Sequence, residues 1–148
     1  MTLNQVLKKI SDFQASHGQL NGYGFGEIED FASSGTTQYP QLWVEPLPFN
    51  IGDNTYTIGL RAYFLDRLQE GKLNNQEVLS DMQQVAIDFF AYFNNNSFSS
   101  DFRQTRLEQE GSFTPVFDKA KDDEVAGWYV DISFRQPYKH DRCIIPTR

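Results

Sequence analysis

The stretch that most constrains this chain is Asn74 to Phe93, NNQEVLSDMQQVAIDFFAYF. Leu79, Met82, Val85, Ala86, Phe89, Phe90 and Phe93 recur at steps of three and four, which puts them on one face of a helix. Gln76, Asp81, Gln83, Gln84 and Asp88 fall mostly on the other side. Asn74 is placed to cap the first turn, and Glu77 three residues on completes a capping-box-like start. Asn94-Asn95-Asn96 then supplies turn-favouring polar residues. Three phenylalanines on one face, each worth about 1.5–3 kcal/mol when buried, require a broad apolar partner. A sheet is the partner the rest of the chain can offer.

A first helix is predicted over Thr2 to Ala15. Leu3, Val6, Leu7, Ile10 and Phe13 share a face, and Thr2 and Gln5 fit a capping box. Strands are predicted at Glu27–Phe31, Gln41–Pro46, Thr55–Phe64, Phe102–Gln109, Phe113–Phe117 and Gly127–Arg135. The strongest is Thr55–Phe64, with Tyr56, Ile58, Leu60, Ala62 and Phe64 facing in and Thr57, Gly59, Arg61 and Tyr63 facing out. In the last, Trp128, Val130, Ile132 and Phe134 share a face. Pro46 and Pro48 end the Gln41 strand early or place it at an edge. Gly111-Ser112 reads as a hairpin turn, and Lys119–Glu124 as a charged loop. Short connections favour antiparallel pairing. The expected fold is one α+β domain over residues 1–148, an antiparallel sheet with both amphipathic helices on one face. An arm, 136–148, extends from it.

Composition narrows the function classes. Twenty acids against thirteen bases give a net charge of −7, which opposes general nucleic-acid binding. Cys143 is the single cysteine, so the chain forms no internal disulfide and fits a reducing compartment. No apolar run approaches a membrane span, and the N-terminal stretch is not a secretory signal.

The chemistry-bearing residues are sparse. His17 and His140 are the only histidines, and His140-x-x-Cys143 lacks the further ligands a zinc site needs. Cys143 has no base placed to activate it, so it is expected to be unreactive. Asn21-Gly22-Tyr23-Gly24-Phe25-Gly26 raises the phosphate-cradle question, but no Gly-Lys-Ser/Thr follows. The dinucleotide fingerprint fails as well, because Glu27–Phe31 alternates like a strand where a helix should begin. These glycines are therefore expected to serve positive φ or close packing. Glu27, Glu29 and Asp30, and the run Asp118, Asp122, Asp123 and Glu124, read as solvated acids. Trp43 and Trp128 read as core or subunit contacts. No enzymatic activity, metal or cofactor is expected.

Five stretches in order carry a resemblance: Gly24-Phe25-Gly26-Glu27-Ile28-Glu29-Asp30, Tyr39-Pro40-Gln41-Leu42-Trp43-Val44, Glu77-Val78-Leu79-Ser80-Asp81, Gly127-Trp128-Tyr129 and Cys143-Ile144-Ile145-Pro146. Together the set resembles small neck and tail-completion proteins of tailed bacteriophages, of the tail-terminator kind, especially in phages infecting Bacteroidetes. The resemblance implies an α+β structural protein of the virion, made in the host cytoplasm. Copies would form a ring, typically a hexamer, at the head–tail junction, ending the tail tube and joining it to the neck and capsid connector. DNA would pass through the lumen without specific binding. The expected subunit contacts are Trp43, Asn95, Phe98, Tyr138, Lys139, Arg142, Ile144 and Ile145. The residue pattern alone leaves a second class open, a small intracellular ligand- or protein-binding α+β domain without catalytic activity.

Overall fold

The computed structural model describes residues 2–33, 38–52, 54–94, 105–120 and 123–137. Helix α1 (Leu3–Ser16) starts as its sequence predicts. The Thr2 hydroxyl accepts from the Gln5 N–H, and the Gln5 side chain accepts from the Thr2 N–H at 2.8 Å, the reciprocal capping box. Strand β1 (Gly22–Phe25) leads into a short helix α2 (Ile28–Ser33), followed by β2 (Gln41–Pro46), β3 (Asn50–Ile51) and β4 (Thr55–Arg67). After a single 3-10 turn at Glu70–Lys72 comes α3 (Asn75–Asn94), then β5 (Arg106–Gln109), β6 (Thr114–Ala120) and β7 (Asp123–Pro137).

The strands form one mixed, mostly antiparallel sheet in the order β1-β2-β4-β7-β5. The long β4 and β7 pair along their length, from Thr55↔Pro137 to Arg67↔Val125. Each is flanked on its far side by two short strands end to end. Beside β4 lie β2 and β3, and beside β7 lie β5 and β6. Strand β1 alone is parallel to its neighbour, because the α2 crossover carries the chain back to start β2 in the same direction.

One face of the sheet presents Leu42, Val44, Ile58, Leu60, Ala62, Phe64, Val130, Ile132 and Phe134 to α1 and α3. Helix α3 contributes Val78, Met82, Val85, Ala86, Phe89 and Phe93, and α1 contributes Val6, Ile10 and Phe13. This is the expected α+β arrangement, with the phenylalanine face of α3 against the sheet.

Five local expectations are corrected. Glu27–Phe31 is no strand. Ile28 opens α2, whose Phe31 lies buried on the sheet's opposite face with Trp43, Tyr63, Leu65 and Val125. Tyr63, expected to face solvent, is therefore buried under α2. Gly111 does not close a β5–β6 hairpin, since both strands pair with β7 rather than with each other. The 15-residue β7 is long enough to take both in succession. Lys119–Glu124 is shorter as a loop than expected, because pairing continues to Ala120↔Asp123. Asn74 does start α3 through its carbonyl, which accepts from the Val78 N–H, but its side chain reaches back instead to accept from the Gln69 N–H at 2.6 Å.

Candidate functional site

The most organised cluster outside the main core lies on the α2 face of the sheet. Trp43 is its centre. Its ring covers Gly24 so closely that a methyl group on Gly24 would overlap the indole. Its Nε1–H donates to the Gly26 carbonyl at 3.0 Å, and Phe31 of α2 packs on it with ring centroids 5.6 Å apart. Gly26 has φ of 141°, a conformation that favours glycine. The glycines thus serve close packing and one positive φ, as expected. A helix, α2, does follow the glycines, where the alternation predicts a strand. What fills the place of a phosphate is the protein itself. The Ile28 N–H at the start of α2 donates to Glu45 Oε2 at 2.8 Å, and the indole occupies the space over Gly24.

Glu45 links this cluster to a charged one. Arg61 forks onto Asp131, with Nε donating to Oδ1 at 2.6 Å and a terminal nitrogen to Oδ2 at 3.2 Å. A second terminal nitrogen lies 4.0 Å from Glu45 Oε1, and the guanidinium carbon sits 4.7 Å from the centre of the Tyr129 ring. The hydrogen bond to Asp131, partly offset by burial, holds the Arg61 pKa above its ordinary value. Burial raises Tyr63 alongside it. The guanidinium therefore stays charged and clamps β4 to β7, while Glu45 ties that clamp to α2. Farther along the same face Ser133 donates to Glu110 at 2.6 Å, and Arg135 pairs with Glu108 at 3.5 Å.

On the other face, Trp128 Nε1–H donates to the Leu79 carbonyl at 2.8 Å, tying β7 to the first turns of α3. Gly127 beside it is required by a close approach: a methyl group there would run into the Phe64 carbonyl across the ladder. A small apolar cleft opens between Ala86 and Ile87 of α3 and Phe113 and Trp128.

His17 is committed to structure. Its Nδ1 accepts from the Gln19 N–H at 3.2 Å, which leaves Nε2 to carry the proton and donate to Asp88 at 2.9 Å. Neither ring nitrogen is left to take a proton from a nucleophile. The pair pins the end of α1 to α3, a contact across 71 residues that no local pattern shows. Among the described residues no group of three or more His, Cys, Asp or Glu is arranged to hold a metal ion. No described helix is long and apolar enough to cross a membrane.

Of the expected subunit contacts, Trp43 is placed inside the chain, 8% exposed, so it is the core residue of the two roles considered. Asn95, Phe98, Tyr138, Lys139, Arg142, Ile144 and Ile145 lie outside the described residues, as do His140 and Cys143. Large apolar side chains that are exposed include Phe25, Phe49, Ile51, Leu73, Ile87 and Phe117, spread over the surface rather than gathered at one cleft. Comparison with known proteins adds no family: no protein-family model matches the chain, and no curated protein matches it significantly.

Proposed function

We propose that this chain is a structural subunit of a phage neck or tail, of the tail-terminator kind. Copies of it form a ring, six being the expected number, at the head–tail junction of the virion. The ring ends the tail tube and joins it to the connector, with no catalytic step and no cofactor.

The observation that carries this reading is how the stretches bearing the resemblance meet in space. Gly24–Asp30 and Tyr39–Val44 are joined by the Trp43 indole bonded to Gly26 and packed over Gly24. Glu77–Asp81 and Gly127–Tyr129 are joined by the Trp128 indole bonded to Leu79. Four stretches far apart in the chain thus form two tryptophan junctions, one on each face of the sheet, with Trp43 buried and Trp128 half-buried. Such a set behaves as one structural unit rather than as scattered coincidences. The fold that the resemblance implies, helices against a mostly antiparallel sheet, is also the one present. Charge agrees: a net −7 suits a channel wall that lets DNA slide, since cations would hold phosphates.

Deleting the gene in the phage that encodes it tests the role. The reading expects filled heads beside tails that are unjoined and of uncontrolled length. Normal virions from the deletion strain would refute it.

A further inference from the structure

Strand β1 is an open sheet edge that lacks the usual protection. Among the described residues no strand pairs with its outer side. The Gly26 N–H turns inward to the Val44 carbonyl at 3.0 Å, and the Pro40 and Val44 carbonyls both face β1. By alternation Gly22 and Gly24 also bond to β2, and the N–H and C=O groups of Tyr23 and Phe25 turn outward. Edges are normally blunted by charges or proline. The opposite edge follows that rule, with Arg106 and Glu108 in β5 and Pro115 in β6. Gly22-Tyr23-Gly24-Phe25 has neither. Just past its end three acids stand exposed, Glu27, Glu29 and Asp30.

We infer that β1 receives an added strand from a second copy of this chain, namely its residues Cys143-Ile144-Ile145, running antiparallel to β1. Strand addition of this kind gives affinity through main-chain hydrogen bonds and register through side chains. The segment has β-branched residues that favour a strand. Charge sets its direction. The described residues hold 16 acids and 8 bases, whereas residues 138–148 hold Lys139, Arg142 and Arg148 against Asp141 alone. Run antiparallel, the segment brings Arg142, and Lys139 before it, against Glu27 and Glu29.

Reach decides that the donor is another copy. Pro137 stands level with Thr55, and Phe25 is level with Val44 and so with Ala62, seven residues farther along β4. That is about 23 Å along the sheet at about 3.3 Å per residue, with three strand spacings, about 14 Å, across it. The gap from Pro137 to the near end of β1 is therefore about 27 Å, and to its far end about 36 Å. The seven residues from Pro137 to Ile144 span at most about 25 Å when fully extended. A chain cannot lay its own 143–145 along its own β1. Donor edge and acceptor edge differ, so the contact is head-to-tail, the kind that closes into rings.

This inference rests on the ring-subunit reading and adds the contact that builds the ring. The test is sedimentation velocity on the full chain with charge reversals, beside amide hydrogen exchange. Glu27→Lys with Glu29→Lys should weaken self-association about tenfold or more, on the scale of a few exposed ion pairs. Adding Lys139→Glu with Arg142→Glu to that variant should restore it. The Tyr23 and Phe25 amides should exchange more slowly in the assembled than in the dissociated protein. Association that ignores the reversals, or equal exchange in both states, overturns the β1 contact and leaves the ring reading standing. A wild-type chain that never associates overturns both. Circular dichroism of each variant confirms that the fold is intact.

Discussion

Phe89→Ala is the sharpest test of the core. Phe89 is fully buried, and its ring lies within 4.8–5.7 Å, centroid to centroid, of Phe13, Phe64, Phe90 and Phe93. Its ring touches α1, the sheet and the next turn of its own helix together. Truncation loses the transfer free energy of the ring and leaves a cavity, in total about 3–5 kcal/mol. The edge-on ring contacts favour the upper half of that range, since each such pair is worth about 0.5–1.5 kcal/mol beyond burial. At about 2–4 °C per kcal/mol for a chain of this size, the midpoint should fall by about 8–20 °C. Urea unfolding followed by circular dichroism measures the free energy directly, provided the slope is unchanged. Ile87→Ala, two residues earlier and 55% exposed, is the control and should cost under about 1 kcal/mol. A Phe89→Ala loss no larger than that of the control would refute the packing of α3 on the sheet.

Three further outcomes follow from single contacts. Gly127→Ala should destabilise by about 1–3 kcal/mol or more, because the added methyl meets the Phe64 backbone, which cannot rotate away; thermal melting within a degree of wild type would contradict this. The Tyr23 hydroxyl is buried with no hydrogen-bond partner among the described residues, so Tyr23→Phe should leave stability unchanged or raise it by about 1 kcal/mol in urea unfolding. Burial also pushes Tyr23 up to about 12, so the folded state resists its ionisation; stability falls as pH rises from about 10, and the phenylalanine variant should lose less over that window. Burial likewise raises the Asp66 carboxyl, so the folded state binds its proton more tightly than the unfolded chain does. Its contribution is complete below about pH 3.9 and is lost as pH rises through the folded value; Asp66→Asn should melt higher than wild type at neutral pH, with the gain gone at acid pH.

The main core was legible because its signals are periodic. The three-four spacing of α3, the Thr2–Gln5 box of α1 and the alternation of β4 and β7 each survive in the structure almost as read. The α2 face was not legible, for a physical reason. Glu27–Phe31 is too short for helical periodicity to differ from alternation, and what holds it helical is remote: Glu45 at its first N–H and Trp43 under Phe31. The same remoteness hid Tyr63, whose outward side is covered by α2 rather than by solvent. The Arg61–Asp131 clamp and the His17–Asp88 pair join residues about 70 apart and depend on register, which single-sequence patterns do not fix. The Gly-x-Gly-x-Gly run did carry a usable signal. Glycines at every second position of a strand leave room for one large side chain, and Trp43 on the neighbouring strand fills it.

The central claim is that this chain assembles with itself into a closed ring. Native mass spectrometry of the purified full-length protein, with negative-stain electron microscopy of the same sample, tests it most directly. The account predicts a single assembly whose mass is a small integer multiple of the chain, six being the expected number, seen end-on as a ring with a central channel. A chain that remains monomeric at every concentration, or that forms only a two-fold dimer with no channel, would contradict it.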